Sequence, residues 1–292
     1  MPKPKRNQLT SYKLFLKRQQ QYEKRYQRYF YTYLRQSYLS AARKIKAGEQ
    51  IDYANLSDND RLVTIITKLY NQISLSEAII SYNEVLAPIE GNRLKTKDAI
   101  TDLIELLSPN SDKLVNIWRS LLNNFLQVRL TNRITQINNT TNERIRRIIE
   151  QGIFDGLGAE EVARNIRKEA GGNLNAVRSR AIARTETITA ANQGKYMSAS
   201  SSNLEMKKKW IPATDARTRP SHRAMLDNPW IPLKEDFYLA NDLGILEPAK
   251  HPCDNRLSAS NTVNCRCAMV FEPMRDSNGN LIRKGIGTSI AQ

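Results

Sequence analysis

The stretch "SDKLVNIWRSLLNNFLQVRLTNRITQINNTTNERIRRIIEQG", residues 111–152, decides the fold class. Apolar side chains recur along it at Leu114, Trp118, Leu121, Phe125, Val128, Leu130, Ile134, Ile137, Ile145 and Ile148, and no proline interrupts them. Those intervals follow the 3.6-residue period of an α-helix and not the two-residue period of a strand. Ser111 supplies an N-cap and Gly152 a stop. A helix of forty residues spans roughly 60 Å, which suits a scaffold better than a compact enzyme.

The pattern extends in both directions. Upstream, Leu62, Ile65, Ile66, Leu69 and Ile73 repeat at helical spacing, and "SEAIISYNEVL" continues the run to Pro88, where "IEGN" marks a turn. A further run, "KDAITDLIELL", stops at Ser108-Pro109. Downstream, Gly156 and Gly158 precede a short helix that ends at Gly171-Gly172. Residues 173–200 form one more helix, with Val177, Ala181, Ile188 and Ala191 as its buried candidates. Past residue 200 the character changes: "MKKKWIPAT", "PWIPL" and "CAMVFEP" are short, β-prone and punctuated by proline. The expected class is α+β, with long helices in the N-terminal two thirds and a small C-terminal module of short strands, clasped by zinc in one reading. Four segments follow: 1–57, a basic tyrosine-rich helical arm; 58–200, an elongated helical domain; 201–273, the small α+β module; and 274–292, a flexible tail.

Hydrophobic residues make up 40% of the 292 and charged residues 25%, an ordinary globular balance, but the net charge is +16. That excess favours a polyanionic partner. It is concentrated: residues 1–46 hold thirteen of the Lys and Arg residues against one Glu, together with seven of the twelve tyrosines. Tyr22, Tyr26, Tyr29 and Tyr33 fall on one helical face. That face packs on a neighbour, while Lys17, Arg18, Lys24, Arg25, Arg28 and Arg35 are candidates for contact with nucleic-acid phosphates. No uncharged run approaches the roughly 18 residues a bilayer span needs, and Lys13 and Lys17 interrupt any apolar signal segment. Three cysteines are too few for a disulfide framework and point to a reducing compartment.

Both histidines and all three cysteines lie between His222 and Cys267. Cys265 and Cys267 present two thiols from one turn or strand. His222 with Cys253, or His251 as the alternate, completes a tetrahedral zinc set. Three readings stand: a structural zinc; a catalytic zinc, for which no helix-borne HExxH pattern is present; and buried thiols beside a hydrogen-bonded histidine. Asp215 is expected to cap a helix beginning at "RPSHRAML" or to pair with Arg266, and Arg217 to bridge to Glu186. Nothing supplies a nucleophile with a base beside it.

The ordered series "ARTETITAANQGKYMSA", then W-x4-D-x-R-T-R-x2-H-x3-L, then "NCRC", resembles the phage Mu protein F-like family of minor head proteins, the head-morphogenesis proteins of SPP1 type. The resemblance covers residues 150–272 and falls on Arg184, Thr185, Glu186, Asn192, Trp210, Asp215, Arg217, Thr218, His222, Asn264, Cys265, Arg266 and Cys267. It implies a minor capsid protein that is no enzyme, bound at the portal vertex inside the head and present in the host cytoplasm during assembly. Implied partners are the portal protein and packaged double-stranded DNA, with the major capsid or scaffolding protein as further candidates, and no membrane. Implied roles are procapsid assembly and genome packaging or ejection. Some members carry a toxin-like enzyme domain after the motif, for which the twenty remaining residues leave no room. A metal-dependent nuclease or hydrolase, or a plain basic DNA-binding module, are the alternatives.

Overall fold

The computed structural model describes residues 6–91, 113–213 and 215–285. Long helices account for most of the chain: α1 (Arg6–Lys46), α2 (Asn59–Val85), the one-turn α3 (Ala87–Glu90), α4 (Lys113–Phe154), α5 (Ala159–Gly171) and α6 (Asn173–Ser200). Short elements follow: β1 (Met206–Ile211), α7 (Pro220–Ala224), β2 (Ile231–Pro232), β3 (Phe237–Ala240), β4 (Leu246–Ala249), α8 (Ala259–Thr262) and β5 (Ala268–Pro273). The α+β class and the change of character at residue 200 are therefore as expected. The run "KDAITDLIELL" and the Ser111 cap lie outside the described residues.

The helices grouped into two compact units that do not follow chain order. One comprises Met1–Gln20, Leu69–Phe125 and Arg184–Gln292; the other comprises Gln21–Lys68 and Leu126–Ala183. In the second unit, Tyr38, Ala41, Ala42, Leu56, Ile145, Val162, Ala163, Ile166 and Ala170 form one apolar core. In the first, β1 runs antiparallel to β2 on one edge and to β5 on the other, with Trp210 opposite Met269, while β3 and β4 make a separate hairpin.

Helix faces differ in detail from the sequence expectation. On α1 the buried aromatics are Tyr12, Phe15, Tyr22, Tyr26, Phe30, Tyr33 and Tyr38, whereas Tyr29 is 41% exposed. Alternating steps of three and four place Phe30, not Tyr29, on the inner stripe. On α4 the inner residues are Val115, Trp118, Leu122, Leu126, Ile137 and Ile145, and Val128 faces outward. On α6, Ile188 and Ala191 are buried and Val177 is exposed. Helix α2 buries Leu62, Ile65, Ile66, Leu69 and Ile73 as expected. Part of the C-terminal stretch is also ordered: Arg275 bridges Leu281, and Arg283 pairs with Leu204. Among the described residues no helix is long and apolar enough to cross a membrane.

Candidate metal centre and the motif around it

The site lies in the first unit, where three chain segments converge. Pro220 opens α7, its fixed φ suiting the first helical position. Two residues later α7 carries His222, which is buried. Cys265 and Cys267 enter on the turn before β5, where Asn264 takes the left-handed conformation (φ 59°). The Cys267 thiol lies 3.3 Å and the Cys265 thiol 3.7 Å from His222 Nδ1. The three donor atoms all fall within 4.8 Å of one another, so the group could hold a metal ion. With Zn–S near 2.3 Å and Zn–N near 2.0 Å, tetrahedral ligands stand roughly 3.5–3.8 Å apart. The side chains present fit that spacing.

Cys253 stands just outside this trio. Its buried thiol is 3.6 Å from the Thr262 carbonyl oxygen, and its backbone φ is 63°. It is nevertheless a neighbour of Cys265: the Cys253 thiol, and after it burial, pushes the Cys265 thiol well above the usual range. Burial, and then Cys265 beside it, does the same to Cys267. Raised in this way, the thiols favour the protonated form; a divalent ion would reverse that balance by favouring thiolate. His251, the alternate ligand, is not brought to the group. Its Nε2 meets Gln193 Oε1 at 2.9 Å and its Nδ1 the Pro252 carbonyl oxygen at 3.0 Å.

His222 is oriented from behind and from the side. Its Nε2 lies 3.2 Å from Asn261 Oδ1, and Asn261 Nδ2 donates to Glu247 at 2.9 Å. Such outer partners fix the tautomer and aim of a ligating imidazole. The Trp210 ring meets His222 edge to face at 5.5 Å.

The remaining motif residues stitch α6 to this turn. Asn192 Nδ2 donates to the Cys267 carbonyl at 3.0 Å, and its Oδ1 accepts from Met269 N at 2.8 Å, so a single amide completes two backbone groups of the strand entry. Thr185 Oγ1 accepts from Asn264 N at 3.1 Å, and Arg184 donates to Asn264 Oδ1 at 3.3 Å. Arg266 grips Asp215 with two nitrogens, and Tyr12 donates to the Arg266 carbonyl at 3.1 Å. The Arg266 guanidinium holds the Asp215 carboxyl well below the ordinary range. The expected Arg217–Glu186 bridge does not form. Arg217 turns back on Asp215, two residues away, while the buried Glu186 carboxylate accepts from Tyr70 at 2.9 Å. Asn261 carried no signal in the sequence, because a lone Asn in a Ser/Asn/Thr stretch reads as loop.

Of the α1 cations, Lys17, Lys24, Arg28 and Arg35 are exposed, and Arg25 is half-buried. Arg18 is turned inward and forks onto Glu77 at 2.8 and 2.9 Å.

Residues 143–270 match the family described as "Phage Mu protein F like protein". The chain is 32% identical over 146 residues to Minor head protein GP7 of Bacillus phage SPP1, covering 48% of this chain and 42% of that protein. It is 30% identical over 145 residues to NAD(+)--arginine ADP-ribosyltransferase EFV of Enterococcus faecalis, covering 49% of this chain and 28% of that protein. The alignments thus span less than half the length of either relative. No solved structure matches the chain at comparable significance.

Proposed function

We propose, from the premise that residues 143–270 belong to the Phage Mu protein F like family, that this chain is a phage minor capsid protein with a structural part in head morphogenesis. We place it at the portal vertex inside the head, beside packaged double-stranded DNA. The observation that carries this reading is that the motif running from Arg184 to Cys267 is one hydrogen-bonded site inside the matched segment. The relative named as a minor head protein supports it. Co-expression with the portal protein of the same phage tests it: a folded chain that co-purifies with portal rings agrees, and one that never does overturns the portal placement.

The DNA contact is assigned to α1. Lys17, Lys24, Arg28 and Arg35 are among its exposed cations, and Arg18 is committed to Glu77. Each phosphate contact contributes about 0.9 to the log–log salt slope of binding. Replacing these four residues with Gln should flatten that slope, and an unchanged slope removes them from the interface.

The ion assigned to His222, Cys265 and Cys267 is zinc, with Cys253 as fourth donor. Thiolate and imidazole are the ligands zinc prefers, and a closed set of four is the structural kind. Zinc would supply a cross-link between α7 and the entry to β5. The alternative of a metal-dependent hydrolase at the same residues is tested directly. Turnover of DNA with Mg²⁺ or Zn²⁺, abolished by His222→Ala, would replace this reading with a metal-dependent hydrolase.

A further inference from the structure

A second feature stands in the other compact unit, far along the sequence from the cysteines. Arg178, on α6, lies across the middle of α4. Its Nη1 donates to Thr141 Oγ1 at 2.8 Å and its Nη2 to the Ile137 carbonyl at 2.6 Å. Both acceptors are neutral, and among the described residues no carboxylate pairs with it. Arg133 and Arg144 flank the same crossing, because positions 133, 137, 141 and 144 fall on one face of α4. Both repel the Arg178 charge, and burial lowers its pKa to about 10. The carboxylate beside Arg144 is Glu169, at the outer limit of an ion pair, 3.9 Å. From α1, the Tyr38 hydroxyl meets Arg144, and Tyr33 also faces Arg178.

A desolvated guanidinium held only by neutral acceptors and crowded by two more cations is unfavourable unless an anion joins it. Guanidinium forks match the oxygens of a tetrahedral oxyanion. We propose that the crossing of Arg133, Arg144 and Arg178 is an oxyanion site that takes a phosphate group. Inorganic phosphate and the backbone of a nucleic acid both present that chemistry. The site is independent of the metal centre and of the exposed cations of α1.

The experiment uses the full chain. Melting temperature is followed as inorganic phosphate replaces chloride at constant ionic strength, for the wild type and for Arg133→Gln, Arg144→Gln and Arg144→Lys. Phosphate should raise the melting temperature by several degrees where chloride does not. Both Gln variants should lose more than half of the rise, and Arg144→Lys, which keeps the charge, should retain most of it. Binding of a fluorescent duplex DNA then separates the sources. A backbone phosphate predicts that the Gln variants bind DNA on the order of tenfold more weakly and that free phosphate competes. Undiminished DNA binding with lost phosphate stabilisation assigns the site to the free ion. The proposal is overturned if phosphate does no more than chloride and DNA affinity is unchanged in the Gln variants. A rise of full size in both Gln variants overturns it equally.

Discussion

Asn192 shows how much one side chain can hold. Its amide is spent on two backbone groups at the entry to β5, both out of reach of water. Asn192→Ala would orphan both, at about 1–3 kcal/mol each, so urea unfolding should show a loss of a few kcal/mol with the slope unchanged. The sequence series named this residue but could not say what it does. The pairing depends on residues some seventy-five positions apart, and no local pattern encodes it. The cysteine cluster was more legible, because soft ligands gathered in one region are conspicuous. The two further candidates, Cys253 and His251, were equally plausible chemically; the packing sets Cys253 beside Cys265 and pairs His251 with Gln193. Elemental analysis should find about one zinc per chain. A Cys265→Ser/Cys267→Ser variant should lose both the metal and several degrees of melting temperature. Less than a tenth of an equivalent in chelator-free protein contradicts the assignment.

Lys208 was not legible at all. In "MKKKW" it reads as one of three solvated lysines, yet the alternation of β1 turns it inward with Met206 and Trp210. Its Nζ donates to the Lys250 carbonyl at 2.8 Å and lies 4.8 Å from the Phe237 ring centre. Burial, and then Lys250, lowers its pKa to about 7. Between that value and its unfolded value of about 10.4, the unfolded chain binds the extra proton, so this residue makes stability rise with pH across the window. The slope approaches about 1.4 kcal/mol per pH unit. Buried tyrosines and thiols with raised pKa values contribute with the opposite sign above their unfolded values, so the comparison with Lys208→Met isolates the lysine. Urea midpoints from pH 7 to 10 should rise more steeply for the wild type than for Lys208→Met.

At the scale of elements, existence was legible and rotation was not. Runs at helical spacing located α2, α4 and α6, and flanking glycines located α5, but Tyr29 and Val177 were assigned to inner faces they do not occupy. Apolar residues three or four apart form two overlapping stripes on a long helix, and the neighbour selects between them. The β3–β4 hairpin escaped notice because its strands have four residues each. Its Asn241–Gly244 turn, with Asn241 Oδ1 accepting from Leu243 N and Ile245 N, was the signal that could have located it. Helix contact also explains a glycine. In the first unit Gly194 of α6 approaches α2 so closely that an added Cβ would lie 2.2 Å from the Ser74 carbonyl oxygen. Backbone cannot yield as a flexible side chain does. Gly194→Ala should therefore destabilise by about 1–3 kcal/mol or more, read as a lower melting temperature, despite alanine's better helix propensity.

At the scale of the whole molecule, the two compact units interleave along the chain, so no cut in the sequence separates them. A charge of +16 weighted toward α1 favours an anionic partner, and the match of residues 143–270 to the Phage Mu protein F like family supports the proposed setting in a phage head. The central claim is that this chain is a component of the head. Quantitative mass spectrometry of purified DNA-filled heads tests it most directly. The account predicts a few copies of the chain per head, protected from added protease until the head is opened. Heads that are complete and DNA-filled but contain none of the chain would contradict it.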